Sequence, residues 1–299
     1  MSGEGFALVA DLGGSKIAAA RVSSSGVITH QLHTPTPAAG GARVVDAIAD
    51  LLSELPRDGV DAAGVAVPGL VRGDGTVWAP NIRGWRRTPL ARMLQERLGL
   101  PVVVESDRNA CVLGECWKGR AQNCADVVFV AVGTGIGAGI VSGGHLLRGH
   151  GELSGCAGWL PVREKHLPQY RATGCLEFHA AGPGIAHAGR RHFGRQVRTE
   201  QIVALARSGD PRAIRLLEDA GRALGVALAA IVDILNPRLV VIGGGLAAAG
   251  ALLLDPARRA IRQWAQPIAG RQVRVVRSGL GDRAPLFGMA HICFGRERS

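Results

Sequence analysis

Apolar and polar positions alternate along the chain in short Val/Ile/Leu/Ala runs that read as strands, separated by longer stretches whose apolar residues recur with a helical period. Phe6 to Asp11 reads as a strand, and after Gly13-Gly14 the run Ile17 to Val22 reads as its antiparallel partner. A third strand is expected around Val27 to Leu32, then a Pro/Gly/Ala loop from Pro35 to Gly41 and an amphipathic helix from Ala42 to Leu55. Ala63 to Val67 is a further strand ending at Pro68-Gly69, and Gly73-Asp74-Gly75 turns the chain into Val77 to Ala79 and the Pro80-Asn81 step. A helix from Pro89 to Leu98 closes on Gly99, because glycine takes a left-handed C-cap without steric cost. The valine run Pro101 to Glu105 reads as a buried strand, and Asp107 falls at the N-cap or first turn of a helix running toward Lys118. A carboxylate between a strand end and a helix start is well placed to face a cleft.

The pattern then restarts. Val127 to Val132, the turn Gly133-Thr134-Gly135-Ile136-Gly137 and Ala138 to Val141 repeat the strand, glycine turn and strand of residues 6 to 22. Such a repeat predicts two lobes of related architecture, residues 1–119 with a C-terminal helical segment 285–299, and residues 120–284. In the second half Pro211 to Leu235 is the longest helix candidate, the strand Leu239 to Ile242 runs into Gly243-Gly244-Gly245, Arg274 to Arg277 is a short strand, and Pro285 to Phe294 a last helix.

Composition narrows the function classes. Apolar residues make up 47% and charged residues 20% of the 299 positions, which excludes a disordered chain and is enough for about two compact domains. The longest apolar runs fall far short of the ~18 residues of a membrane span, and the first residues lack the basic region of a secretory signal, so a cytoplasmic location is expected. The formal charge is +11, but 35 basic residues include only Lys16, Lys118 and Lys165 as lysines, and the arginines are spread over many helices with few aromatics. That distribution argues against a nucleic-acid reader and suits an anionic substrate. Six scattered cysteines form no disulfide framework and read as small core residues.

Chemistry concentrates in the glycine turns. Asp11-Leu-Gly13-Gly14-Ser15-Lys16 offers a carboxylate, approachable backbone N–H groups, a hydroxyl and an ammonium, the parts needed to hold Mg²⁺ and phosphates. Gly133, Thr134, Gly135 and Gly137 supply a second nest of donors. Neither turn is a Walker A or dinucleotide motif, because strands rather than helices follow them, and alone either reads equally as a simple hairpin.

Asp11-Leu-Gly-Gly-Ser-Lys16, Val67-Pro-Gly69, Pro80-Asn81 with Gly84-Trp85, Glu105-Ser-Asp107-Arg-Asn109-Ala110, Gly133-Thr-Gly-Ile-Gly137, Gly174-Cys-Leu-Glu177 and the stretch Asn236 to Gly245 together resemble the ROK family of bacterial sugar kinases and repressors, in order and spacing over essentially the whole chain. The resemblance implies an α/β fold of the actin-like ATPase (RNase H-like) type, two similar lobes with ATP and sugar in the cleft between them. It implies ATP-dependent phosphorylation of a sugar or sugar-like polyol hydroxyl, with Asp107 as the general base. Asp11 would hold Mg²⁺ through water, Gly13, Gly14, Ser15, Lys16, Gly133, Thr134 and Gly135 would lie along the phosphates, and Gly243 and Gly244 beside the adenosine. Asn81, Asp107 and Glu177 would contact the acceptor, and a homodimer is expected by analogy. Asp107 also suits a plain helix cap, and Glu177 a plain acidic first-turn residue.

Departures from the family pattern fall in the acceptor and zinc stretches. Where the family reads Gly-Glu-Ile-Gly-His, this chain has Gly155-Cys156-Ala-Gly-Trp159. Trp159 either stacks on a sugar ring or fills space. Of the family's zinc stretch only Gly174-Cys175-Leu-Glu177 survives, with Pro168 and Tyr170 in the place of two cysteines, so no zinc site is expected, a rebuilt one from Cys156, Cys175, His166 and His179 included. Ser106 replaces the usual Asn before the base, and the acceptor pocket is expected to differ from one made for glucose. The alternative function is a non-catalytic or degenerate ATP- or sugar-binding regulator; the repressors carry an N-terminal helix-turn-helix domain, for which the position of Asp11 leaves no room.

Overall fold

A computed structural model describes residues 4–295. The extreme ends of the expected first lobe, residues 1–3 and 296–299, lie outside the described residues. The chain divides into two compact units: one comprises the residues up to Asn123, Gly139–Ser154 and those from Asp282 on; the other comprises Cys124–Ala138 and Gly155–Gly281.

In the first unit, β1 (Phe6–Leu12) turns through the glycines into β2 (Lys16–Ser23), and β3 (Ile28–Pro35) follows at the edge. The Gly13 N–H donates to the Lys16 carbonyl at 2.9 Å, which closes the turn and sets Leu12 opposite Ile17. The expected third strand runs on to Pro35, which the edge position allows because its outward side needs no N–H donor. Helix α1 (Ala42–Ser53) leads to β4 (Val60–Val67), the small hairpin of β5 (Leu70–Val71) and β6 (Val77–Trp78), helix α2 (Leu90–Leu98), β7 (Val102–Ser106) and helix α3 (Asp107–Lys118). The sheet order is β3-β2-β1-β4-β7, with β1, β4 and β7 mutually parallel. One face of it is covered by α1 and α2, whose Val44, Ile48, Leu52, Leu90 and Leu94 are fully buried with Leu8, Ala10 and Leu12. Each such side chain contributes about 1.5–3 kcal/mol by leaving water.

A second sheet repeats the plan. Strand β8 (Val127–Val132), β9 (Ile136–Ser142) and β10 (His145–Leu146) are followed, after the helices, by β11 (Leu239–Gly243) and β12 (Arg274–Arg277), in the order β10-β9-β8-β11-β12. Here too the strands on one side, β8, β11 and β12, are parallel. The residues of β9 from Gly139 on and all of β10 belong to the first unit. Short α4 (Tyr170–Thr173) and α5 (Cys175–Ala180) precede α6 (Gly182–Phe193), α7 (Thr199–Arg207) and the 25-residue α8 (Pro211–Leu235). Helix α8 starts at Asp210, whose carboxylate accepts the N–H groups of Arg212 and Ala213, and stops at Asn236 in the left-handed conformation. Helix α9 (Ala251–Trp264) packs along it, and α10 (Pro267–Gln272) leads into β12.

The last helix, α11 (Ala284–Cys293), belongs to the first unit and packs on α3, β1 and β4. Glycines make that crossing possible. A Cβ on Gly288 would stand 1.8 Å from the Ala110 carbonyl oxygen, and one on Gly114 2.1 Å from that of Ala284, so the two backbones touch directly. Among the described residues no helix is long and apolar enough to cross a membrane.

Candidate active site

The parallel strands of the first unit deliver two aspartates to one end of the sheet. Asp11, at the end of β1, is level with Ala66 on β4, and Ala66 is level with Glu105 on β7; Asp107 follows two residues later. Loops at the carboxyl ends of parallel strands are where open α/β sheets bind ligands. Of the two positions open to Asp107, it takes the first helical turn: Ser106 is the N-cap, its hydroxyl accepting the Asn109 N–H at 3.4 Å. The serine that stands in place of the family's asparagine is thus tied to the helix start.

Burial pushes the Asp107 carboxyl above the ordinary aspartate range, against the pull of the Arg108 N–H that its Oδ1 accepts at 2.7 Å and of the nearby Arg108 guanidinium. Asp11 is pushed up to about 7, first by burial, then by the negative charges of Asp107 and Asp282, with Lys16 opposing. Lys16 reaches Asp282 at 3.6 Å. Gly13 is half-buried, whereas Gly14, Ser15 and Lys16 are exposed along the turn. Thr36 holds that turn, donating its hydroxyl to the Gly13 carbonyl at 2.8 Å and its N–H to the Ser15 carbonyl at 3.0 Å. Asn81 is exposed in the turn before buried Trp85.

Behind Asp107 lies a network that the sequence pattern does not reveal. Glu105 is buried, and its Oε1 accepts the Ser106 N–H at 2.7 Å and the Asn109 side-chain amide at 3.0 Å. Its Oε2 accepts from Arg148 at 2.6 Å, and Arg148 also pairs with Glu152 at 3.4 Å. A cation is needed there because a buried carboxylate without one is costly. The acidic residue two positions before the base, inside a valine strand, is the one local signal; its partner lies 43 residues away.

In the second unit the Gly133–Gly137 turn faces a cavity of about 620 Å³. Gly133 and Thr134 line it together with Pro183 of α6, Arg198 before α7, and Gly245 and Leu246 after β11. Gly133 is held by its own N–H to the Gly135 carbonyl at 3.0 Å and by the Gly182 N–H to its carbonyl at 2.8 Å. Gly243 and Gly244 are not wall residues: Gly243 is pressed on the Phe129 ring and Gly244 on the Val132 carbonyl, and they carry Gly245 to the wall. The α6 and α7 contributions have no signature in the sequence, since Gly182-Pro183 marks a helix start without saying what the helix faces. Gly135 and Gly137 are half-buried in the turn, and the Glu177 carboxylate accepts the Ile136 N–H at 2.7 Å.

Where the family pattern would carry zinc ligands, an aromatic cluster stands. The Tyr170 hydroxyl and His179 Nε2 share a hydrogen bond of 2.7 Å, and His166 and Phe178 meet the Tyr170 ring edge-on. Buried Cys175 accepts the Val162 N–H through sulfur, Cys156 is exposed, and Trp159 is 56% exposed beside a 250 Å³ cavity that Tyr170 and Cys175 also line. Burial and the nearby Arg163 charge lower the His179 pKa. Among the described residues no three His, Cys, Asp or Glu side chains gather as a metal cage.

Two sheets of one plan, each opening on a glycine hairpin, belong to an α/β protein of the actin-like ATPase fold. The sequence profile of the ROK family matches residues 8–295, and the chain belongs to that family. It is 34% identical over 315 aligned positions to a glucokinase of Streptomyces coelicolor, spanning 96% of this chain and 97% of that one. An N-acetyl-D-glucosamine kinase of Salmonella heidelberg is 31% identical, with 94% and 97% covered. Among solved structures, a ROK family glucokinase from Streptomyces griseus in complex with glucose and AMPPNP superposes with a TM-score of 0.84 at 32% identity, covering 96% of this chain and 99% of that chain.

Proposed function

We propose that this chain transfers the γ-phosphoryl group of ATP to a hydroxyl of a sugar, with Asp107 as the general base. The observation that supports the base most directly is the placement of its carboxylate, half-buried in the first turn of α3 at the carboxyl end of the parallel strands and raised in pKa by its surroundings. A base of this kind removes the hydroxyl proton as the oxygen attacks, and a pKa raised above the ordinary aspartate range by burial makes the carboxylate a better acceptor. The new oxygen–phosphorus bond forms as the bond from phosphorus to the ADP oxygen breaks, and the proton stays on Asp107 until solvent takes it. Because the phosphoryl transition state is loose, most of the rate comes from positioning and charge neutralisation. Gly13 and Gly133 close their turns with their own N–H groups. In the first unit this leaves the N–H of Gly14 with Ser15 and Lys16, and in the second the N–H of Gly135 with Thr134, as donors suited to phosphates. The cavity of the second unit bounded by Pro183, Arg198 and Leu246 is of a size to take the nucleoside.

Mg²⁺ suits this donor set. Burial first, and then the negative charge of Asp107 and Asp282, raise the Asp11 pKa to about 7; a hard cation relieves the charge part of that cost, and Mg²⁺ commonly takes only one or two carboxylates, with water and phosphates completing its shell. Asp11 would hold it, and when bound it would supply charge neutralisation at the phosphate oxygens. Among acceptors, glucose and N-acetyl-D-glucosamine, which the names of the relatives give, come first, with Asn81, Trp159 and Glu177 as candidate contacts. The test is ADP release with Mg²⁺-ATP and a panel containing D-glucose, D-mannose and N-acetyl-D-glucosamine. Sugar-stimulated release that Asp107→Asn abolishes supports the reading. Tight nucleotide binding with no stimulation by any acceptor would replace it with the regulator.

A further inference from the structure

Glu177 stands in the first turn of α5, and its carboxylate touches two other segments of the second unit. Its Oε2 accepts the N–H of Ile136, inside the second glycine turn, at 2.7 Å. A Cβ on Gly135 would lie 2.9 Å from that same oxygen, and one on Gly158, in the segment Ala157–Trp159, 3.0 Å from it. Both backbones therefore rest against the carboxylate. On its other side the turn is tied by the Gly182 N–H to the Gly133 carbonyl, while the Ala181 N–H donates to the Glu177 carbonyl at 3.0 Å. Oε1 receives no hydrogen bond from the described residues.

A carboxylate beside a turn that holds phosphates is electrostatically unfavourable for the ligand, so its presence calls for a compensating gain. A glycine turn free of such ties samples many conformations, and ordering it on binding costs affinity. We infer that Glu177 is a positioning residue for the nucleotide: by fixing the Ile136 N–H it presets the Gly133–Gly137 turn, so that its donors face the cavity before ATP arrives. The inference rests on reading that turn as the phosphate holder. It gives Glu177 a second task beside any contact that the free Oε1 makes with an acceptor hydroxyl.

The experiment is calorimetric titration with Mg²⁺-AMPPNP in the absence of sugar. Glu177→Ala removes the acceptor of the Ile136 N–H and weakens nucleotide binding about tenfold, the scale of one charge-assisted hydrogen bond. Glu177→Gln keeps an oxygen for that N–H, though a neutral one that bonds about half as strongly, and binds within about threefold of the unaltered protein. Glu177→Asp, which keeps the charge but is one methylene too short to hold the Ile136 N–H, gives a loss of the same sign and serves if Glu177→Ala does not fold. Equal affinity in Glu177→Ala and the unaltered protein overturns the inference alone, as does a Gln variant as weak as the Ala variant. No binding by the unaltered protein overturns the phosphate reading and takes the inference with it.

Discussion

Adding one methyl group at Gly288 tests whether the start of α3 is held where the chemistry needs it. The new Cβ would sit 1.8 Å from the Ala110 carbonyl oxygen, against the 3.0 Å below which such contacts are essentially never found, so the helices must separate by more than 1 Å. The obstacle is helix backbone and cannot rotate away. Separation loosens the contacts of Leu286, Phe287, Met289 and Ala290, all buried. Overpacking of this kind costs about 3 kcal/mol. The better helix propensity of alanine returns about 1 kcal/mol, leaving a net loss of about 2 kcal/mol, or roughly 3 °C in Tm for a chain of this size. Because Asp107 opens α3, the same shift displaces its carboxylate, and a misplacement of about 1 Å lowers kcat by up to about 100-fold. Scanning calorimetry and sugar-stimulated ADP release read the two effects. Gly73→Ala is the control, since a Cβ there meets open space. A Gly288→Ala protein that melts within about 1 °C of the parent would refute the close crossing.

Three further outcomes concern the carboxylates. Asp107→Asn lowers kcat/KM by about 10³-fold or more while leaving AMPPNP affinity within about twofold; in the parent the acid limb of kcat/KM falls above the pKa of a free aspartate, because burial raises that of Asp107, and a rate level down to pH 4 would count against it. Asp11, with its pKa raised to about 7, binds more protons folded than unfolded between about pH 4 and 7, so stability falls as pH rises through that window. Asp11→Asn removes the penalty and stabilises the metal-free protein by at most about 4 kcal/mol at pH 8 and by nothing near pH 4, as read by urea denaturation. Arg148→Met leaves the buried Glu105 carboxylate without its cation and costs about 2–4 kcal/mol in the same assay, with Arg148→Lys recovering part of it; a midpoint unchanged by Arg148→Met would show the pair to be ornamental.

Local chemistry makes much of this architecture readable. Gly13-Gly14 and Gly133 to Gly137 interrupt apolar runs that have nowhere to go but into paired strands, and the valines before Asp107 require a buried strand whose end brings the aspartate out of the sheet. Interactions that join distant residues are not readable. Nothing near Arg148 announces Glu105, and nothing in α6 says that Pro183 turns toward the same cavity as Leu246. Gly114 and Gly288 do carry a signal, as isolated glycines inside helical patterns usually have a packing reason, but the reason requires both helices at once. Tyr170 reads in the sequence as a lost cysteine; its bond to His179 shows a cluster held by rings and one hydrogen bond.

The α3–α11 contact also bears on how the molecule is made. The first unit cannot finish until residues 284–293 have left the ribosome, because Met289 and Cys293 cover Gly64 on β4 while Gly288 seats α11 on α3. At translation rates of about 5–20 residues per second, the segment after Asn123 takes roughly ten to thirty seconds to emerge, and during that time the nascent first sheet waits with one apolar flank bare. The second unit has all of its own residues by Gly281 and can condense beforehand, so the half that begins synthesis is the half completed last.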